Sequence, residues 1–235
     1  MNTAFETTFG RSVADSTPDV RASFIRKTYA HLAVAILAFI GIEYLLLNSP
    51  IAKPLVATML GGRWSWLIVL GMFMGVSMLA NWWANSQTSP AMQYLGLGLY
   101  VVAEAIVFLP LLYIANYNFE GAIMNAGIVT LGLFAALTAI VFFTRKDFSF
   151  LGPILMIGGF VAMGVIVASI AFGFSLGTLF AGIMVLFAAG AILYDTSNVL
   201  HHYQPTQHVA ASLSLFASVG LLFWYILQLF MSDRD

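Results

Sequence analysis

The 235-residue sequence contains no cysteine, which removes disulfides, thiolate catalysis, iron–sulfur clusters and cysteine-based zinc sites together. Charge is almost as scarce. Nine Lys and Arg and ten Asp and Glu make up 8% of the chain, where a soluble domain carries about 25%. With 61% hydrophobic residues, so few charges cannot cover a water-facing surface, and the chain is expected to have the lipid bilayer as its solvent. The formal net charge is −1 and there is no long basic run, so nucleic acid is excluded as a partner. Catalytic signatures are missing too. No P-loop or His-Glu-x-x-His motif occurs, and the last apolar stretch has no Lys for a Schiff base. A single Asp lies inside an apolar stretch, so an intramembrane aspartyl dyad cannot form. The chain is therefore not expected to be an enzyme, and neither a resident cofactor nor a metal site is expected.

What is there is apolar length. A spanning helix needs about 20 apolar residues, because it rises about 1.5 Å per residue through a hydrocarbon core about 30 Å thick. Seven stretches qualify: 28–47, 64–83, 92–115, 120–143, 150–173, 176–200 and 209–231. They are far longer than a barrel strand, so an all-α membrane protein of seven transmembrane helices is predicted. Loop chemistry separates them, as in Asn48-Ser49-Pro50, Asn116-Tyr117-Asn118 and Gln204-Pro205-Thr206-Gln207. Residues 1–23 are polar and read as a cytoplasmic tail ahead of a transmembrane domain over 24–235. The first stretch reads as a retained signal anchor rather than a cleaved leader. Gly71 and Gly75, a G-x-x-x-G pair, and Gly158, Gly159 and Gly164 are expected to let helices approach closely.

Basic residues set orientation. With the N-terminus inside, Arg11, Arg21, Arg26, Lys27, Arg145 and Lys146 face the cytoplasm and Lys53, Arg63 and Arg234 face out, six against three. The His201, His202 and His208 loop is then cytoplasmic.

Three carboxylates fall inside apolar stretches, where each costs about 2.5–3.5 kcal/mol or more and needs a reason. Glu104 lies about 13 residues into the third stretch, near the bilayer middle, with no cation at its depth. Pro110, six residues on, interrupts the helical hydrogen-bond ladder there. Asp195 lies about two turns from the inner end of the sixth stretch, with Asn198 on the same face at i+3 and His202 at i+7. That polar stripe is what the mouth of an ion path requires, and His201 and His202 are candidate pH sensors because imidazole titrates near neutrality. Glu43, about 16 residues into the first stretch, is close enough to the outer end to reach the interface.

Three segments carry a resemblance: Ser23-Phe-Ile-Arg-Lys-Thr-Tyr-Ala, Thr144-Arg-Lys-Asp-Phe-Ser-Phe-Leu-Gly and Ala191-Ile-Leu-Tyr-Asp-Thr-Ser-Asn-Val-Leu-His. In order and spacing they resemble the Bax inhibitor-1 (transmembrane BAX inhibitor motif) family, bacterial branch, from about residue 23 onward. The resemblance implies a last helix that is central within a bundle of six, and a pH-sensitive leak with Ca²⁺, or H⁺, as permeant ion. It also implies a place in a bacterial inner membrane and, as an alternative function, non-conducting modulation of a membrane-bound ATP-dependent protease. In leak-forming members two aspartates on the last two helices share a proton and an arginine on the second helix latches them. Asp195 matches the first aspartate. The second falls near Ser218, where this sequence has no carboxylate, and the second span contains no Arg. Asp195, Ser218, Glu104 and Glu43 are thus the expected ion path or gate.

Overall fold

The computed structural model describes residues 12–86 and 89–232, and no strand occurs among them. A 3₁₀ turn at Val13–Asp15 leads into α1 (Pro18–Leu47), followed by α2 (Ala52–Met59), α3 (Arg63–Ala84), α4 (Pro90–Asn118), α5 (Ala122–Thr144), α6 (Leu151–Phe172), α7 (Gly177–His201) and α8 (His208–Ser232). Seven of these are long and apolar enough to cross a membrane. Apart from α1, their ends lie within three residues of the predicted stretches. The expected helical membrane protein is what the chain forms.

Two features depart from expectation at the start of the chain. Helix α1 begins ten residues before the predicted span, because Thr17 in extended conformation leads into Pro18 at the first helical position and Asp19 lies in the first turn. Ahead of it, Val13 is fully buried and its N–H donates to the Tyr203 carbonyl. Arg21 donates to the carbonyls of Val13 and Ala14. Residues 12–23 are therefore folded against the bundle; residues 1–11 of the expected tail lie outside the described residues, as do Arg11 and Arg234. The second departure is α2, too short to span, which buries Ala52, Val56 and Met59 along one stripe and packs on α4 and α3.

Burial singles out two spans. In α4 and α8, 61% and 67% of the apolar window is inside the protein, against 11–22% in the other five. Helix α8 packs on α1, α3, α4, α5 and α7, while α6 meets the bundle through α7 and α3. Small residues make α8 thin enough to be surrounded: Ala210, Ala211, Ser212, Ser218 and Gly220 lie along it. Close approach elsewhere depends on Gly96. A Cβ there would sit 2.5 Å from the Ala80 carbonyl oxygen and 2.6 Å from the Ala84 nitrogen, so α3 and α4 meet backbone to backbone. Gly71 and Gly75, expected to serve this purpose, face open space, as does Gly164; Gly158 and Gly159 pack only against the Phe187 ring.

The bundle has two distinct ends. The turn at Val13, the α5–α6 loop and the α7–α8 loop share one end, termed the histidine end. The loop around α2, the α4–α5 turn at Phe119–Gly121 and the α6–α7 turn lie at the other.

Candidate functional site

Helices α7 and α8, the most intimately packed pair, place Asp195 opposite Ser218. The Ser218 hydroxyl donates to Asp195 Oδ2 at 2.5 Å. The two positions that the sequence singled out on these helices are therefore in direct contact, with a hydroxyl where a carboxylate pair would need a second acid. Tyr203, in the α7–α8 loop, lies near enough to feel the charge of Asp195. It covers the site from the histidine end. Its hydroxyl pairs with Ser214 at 3.0 Å and its ring lies 6.4 Å from Phe24. Burial pushes the Tyr203 hydroxyl up to about 12, so at neutral pH it keeps its proton and stays a neutral hydrogen-bonding group.

Glu104 sits deeper, 4% exposed. Tyr100, one turn earlier on α4, hydrogen-bonds its carboxyl, and Oε2 has no partner among the described residues. Across the interface α8 presents Gly220, where a Cβ would fall inside the van der Waals shell of Glu104 Oε1. The glycine is thus the socket for the carboxyl. Sequence reading missed it, although a glycine in a span whose neighbours are packed marks a place where something comes close.

Two cavities reach Glu104 from different sides. One, of about 550 Å³, lies among α3, α4, α6 and α8, with Ser77, Asn81, Ser169 and Gln228 as its polar lining. The other, of about 720 Å³, lies among α1, α4, α5 and α8 and is lined by Glu43, Asn116, Glu120 and Thr130 besides Glu104. Glu43 does not reach the interface as expected. It is 4% exposed, and neither carboxyl oxygen has a hydrogen-bond partner among the described residues. Depth along the helix placed it near the end, but its helical face turns it inward, into the second cavity.

The polar stripe Asp195, Asn198, His202 does not converge on one point. Asp195 turns to α8, whereas His202 Nε2 pairs with Asp147 Oδ2 at 3.1 Å, in the α5–α6 loop. Asp147 also accepts from the Ser149 N–H at 2.8 Å and the Ser197 hydroxyl at 3.2 Å. The Phe148 N–H donates to Ser197 Oγ at 2.9 Å. The Ser149 amide, with help from His202, holds the Asp147 carboxyl down to about 2. His201 bonds back along α7, its Nδ1 lying 3.0 Å from the Ser197 carbonyl. Asp147 was not singled out from the sequence, since a charge in a loop needs no explanation and its partner is 55 residues away. No group of three or more potential metal ligands occurs among the described residues.

Comparisons with known proteins agree with this architecture. The family model described as Inhibitor of apoptosis-promoting Bax1 matches residues 21–235. Bax inhibitor 1 of Schizosaccharomyces pombe is 30% identical over 225 residues, covering 92% of this chain and 79% of that protein. An uncharacterized protein of Pseudomonas aeruginosa is 30% identical over 208 residues, 88% of this chain and 87% of its own. The Modulator of FtsH protease YccA of Escherichia coli is 36% identical over 108 residues, 42% of this chain and 49% of its own.

Proposed function

The chain belongs to the Bax inhibitor family of multi-pass membrane proteins, and on that premise we propose that it is a slow cation leak, for Ca²⁺ or H⁺, in a bacterial inner membrane. Asp195 and Ser218 form the gate under Tyr203, and Glu104 is the carboxyl of the path, with Glu43 beyond it. The observation that carries this reading is the position of Glu104 on the lining of both cavities, with the hydrogen-bonded Asp195–Ser218 contact between it and the histidine end. A lone carboxylate and hydroxyl offer Ca²⁺ fewer than the six to eight oxygens it prefers, so the ion is held weakly and passage is slow. The N-terminus is cytoplasmic on this reading.

The test is flux into liposomes holding a Ca²⁺ dye. Passage above that of empty liposomes between pH 6 and 8, reduced about ten-fold or more in Asp195→Asn, is the expected result; a site carboxylate contributes on the order of 1.5–3 kcal/mol to a bound cation. Flux no greater than in empty liposomes sinks the leak, and flux unchanged in Asp195→Asn sinks the gate.

The Escherichia coli relative named as a modulator of the FtsH protease supports a second reading. In it, this chain conducts nothing and alters the turnover of substrates of a membrane-bound ATP-dependent protease. The half-life of such a substrate with and without the chain separates the two.

A further inference from the structure

We propose that the cavity among α1, α4, α5 and α8 is a binding site for an amphiphilic amine, a lipid-soluble organic cation with a single ammonium group that enters sideways from the bilayer. This inference stands apart from the leak, since it requires only that the site be occupied and not that anything passes through.

The way in is a gap between two helices. At the histidine end α1 and α5 are joined by Tyr29, whose ring lies 6.4 Å from Phe134 and 5.9 Å from Phe142. Toward the other end the cavity occupies the space between them, and its rim residues Ile40, Tyr44, Met124 and Leu131 are all exposed on the lipid-facing surface. At about 720 Å³ the volume lies within the roughly 300–1,000 Å³ of small-molecule sites.

The walls specify the chemistry. Phe39, Phe119, Phe216 and Phe223 supply aromatic faces and edges, which suit an apolar body and attract a cation. Into this apolar space point Glu43, with both oxygens unpartnered, and Glu104, with one. No Lys, Arg or His is among the described residues that line it. Buried carboxyl oxygens without donors are costly, and a ligand ammonium supplies the N–H donors and the positive charge that the protein withholds. Asn116 and Thr130, also on the wall, offer further acceptors. A divalent metal ion fits this lining poorly because most of it is hydrocarbon. A phosphatidylethanolamine headgroup would bring its phosphate against a lining that carries Glu43, Glu104 and Glu120 and no Lys, Arg or His among its described residues to receive it.

The experiment uses the full chain in phosphatidylcholine nanodiscs, titrated with 3-[4-(trifluoromethyl)phenyl]propylamine and followed by ¹⁹F line broadening against empty nanodiscs. The corresponding alcohol is the neutral control. The amine is expected to bind saturably, with the alcohol weaker by about ten-fold or more, the scale of charge-assisted hydrogen bonds. Glu43→Gln is expected to weaken the amine by a similar factor. Gly127→Leu provides an independent block: Gly127 lines the cavity, a Cβ there meets nothing within 4 Å, and leucine favours the helix over glycine. It narrows the site while both carboxyls are retained, and it answers the question even if Glu43→Gln does not fold. Amine broadening equal to that of empty nanodiscs, equal affinity for amine and alcohol, or full affinity in Gly127→Leu would each overturn the proposal. Displacement of the amine by an equal concentration of lysophosphatidylethanolamine would overturn it in favour of a lipid site.

Discussion

Gly220 and Glu104 show how one missing side chain on α8 makes room for a carboxyl on α4. Any Cβ at Gly220 collides with Glu104 Oε1, and Tyr100 restrains the carboxyl from its own helix. Relief therefore requires either a shift of α8 or a new rotamer for Glu104. Overpacking of this kind costs about 1–3 kcal/mol. Gly220→Ala is expected to lower the thermal unfolding midpoint in detergent, and the double variant Gly220→Ala with Glu104→Ala is expected to recover most of the loss, because the collision partner is gone. Equal midpoints for wild type and Gly220→Ala would show that Glu104 moves aside freely and that the socket is not a constraint. The pairing of Asp195 with Ser218 differs in kind. A hydroxyl donor fixes the carboxylate without sharing its charge, so the site lacks the strong mutual titration that two close acids have.

At the scale of elements, the Asp147 cluster fastens the α5–α6 loop to the end of α7, as four polar contacts join Asp147 and Phe148 to Ser197 and His202. The carboxyl is held at about 2, below its unfolded value. Its contribution is thus fully present above the ordinary carboxylate pKa and is lost as pH falls from about 4 through about 2. Asp147→Asn should abolish that acid-dependent loosening, read as hydrogen-exchange protection at Phe148 and Ser149, each rate taken relative to the intrinsic rate at its own pH, that is lower in wild type at pH 2.5 than at pH 5. An identical pH response in the variant would remove Asp147 as its cause. Sequence alone revealed the spans but not this fastening, for a physical reason. Apolar length is a property of one segment, whereas a loop charge acquires meaning only from a partner far along the chain. The same limit hid the core. Every span is apolar all round, and lipid is as apolar as a neighbouring helix, so hydropathy does not separate α4 and α8 from the five spans that mostly face the bilayer. Charges inside spans were legible, and Asp195 and Glu104 stood out for that reason. Glu43 stood out as well, but its rotation toward the cavity was not legible from depth.

For the whole molecule, an odd number of crossings puts residues 12 and 232 at opposite ends, and the basic residues divide accordingly. Arg21, Arg26 and Lys27 enter α1 at the histidine end, and Arg145 and Lys146 leave α5 there, while Lys53 and Arg63 belong to the helices at the other end. Basic residues in short loops resist translocation, and five of them share the histidine end with the Val13–Tyr203 contact, where Arg21 bonds the Val13 and Ala14 carbonyls. On the proposed orientation, with the N-terminus inside, Asp195 and its Tyr203 cover lie toward the cytoplasm. On the same orientation the Glu43 cavity belongs to the outer half of the bilayer. Alkaline phosphatase, active only outside the inner membrane, is therefore expected to be active when fused after Asp235 and inactive when fused after Gln204, in the α7–α8 loop. Reversed activities would put the histidine end outside, and the Asp195–Ser218 contact would then meet external rather than cytoplasmic protons. The two fusions differ by one crossing, α8, whose 25 residues rise about 37 Å at 1.5 Å each, enough for a hydrocarbon core of about 30 Å. Equal activity at both sites would mean that α8 does not cross, in conflict with its place among α1, α3, α4, α5 and α7.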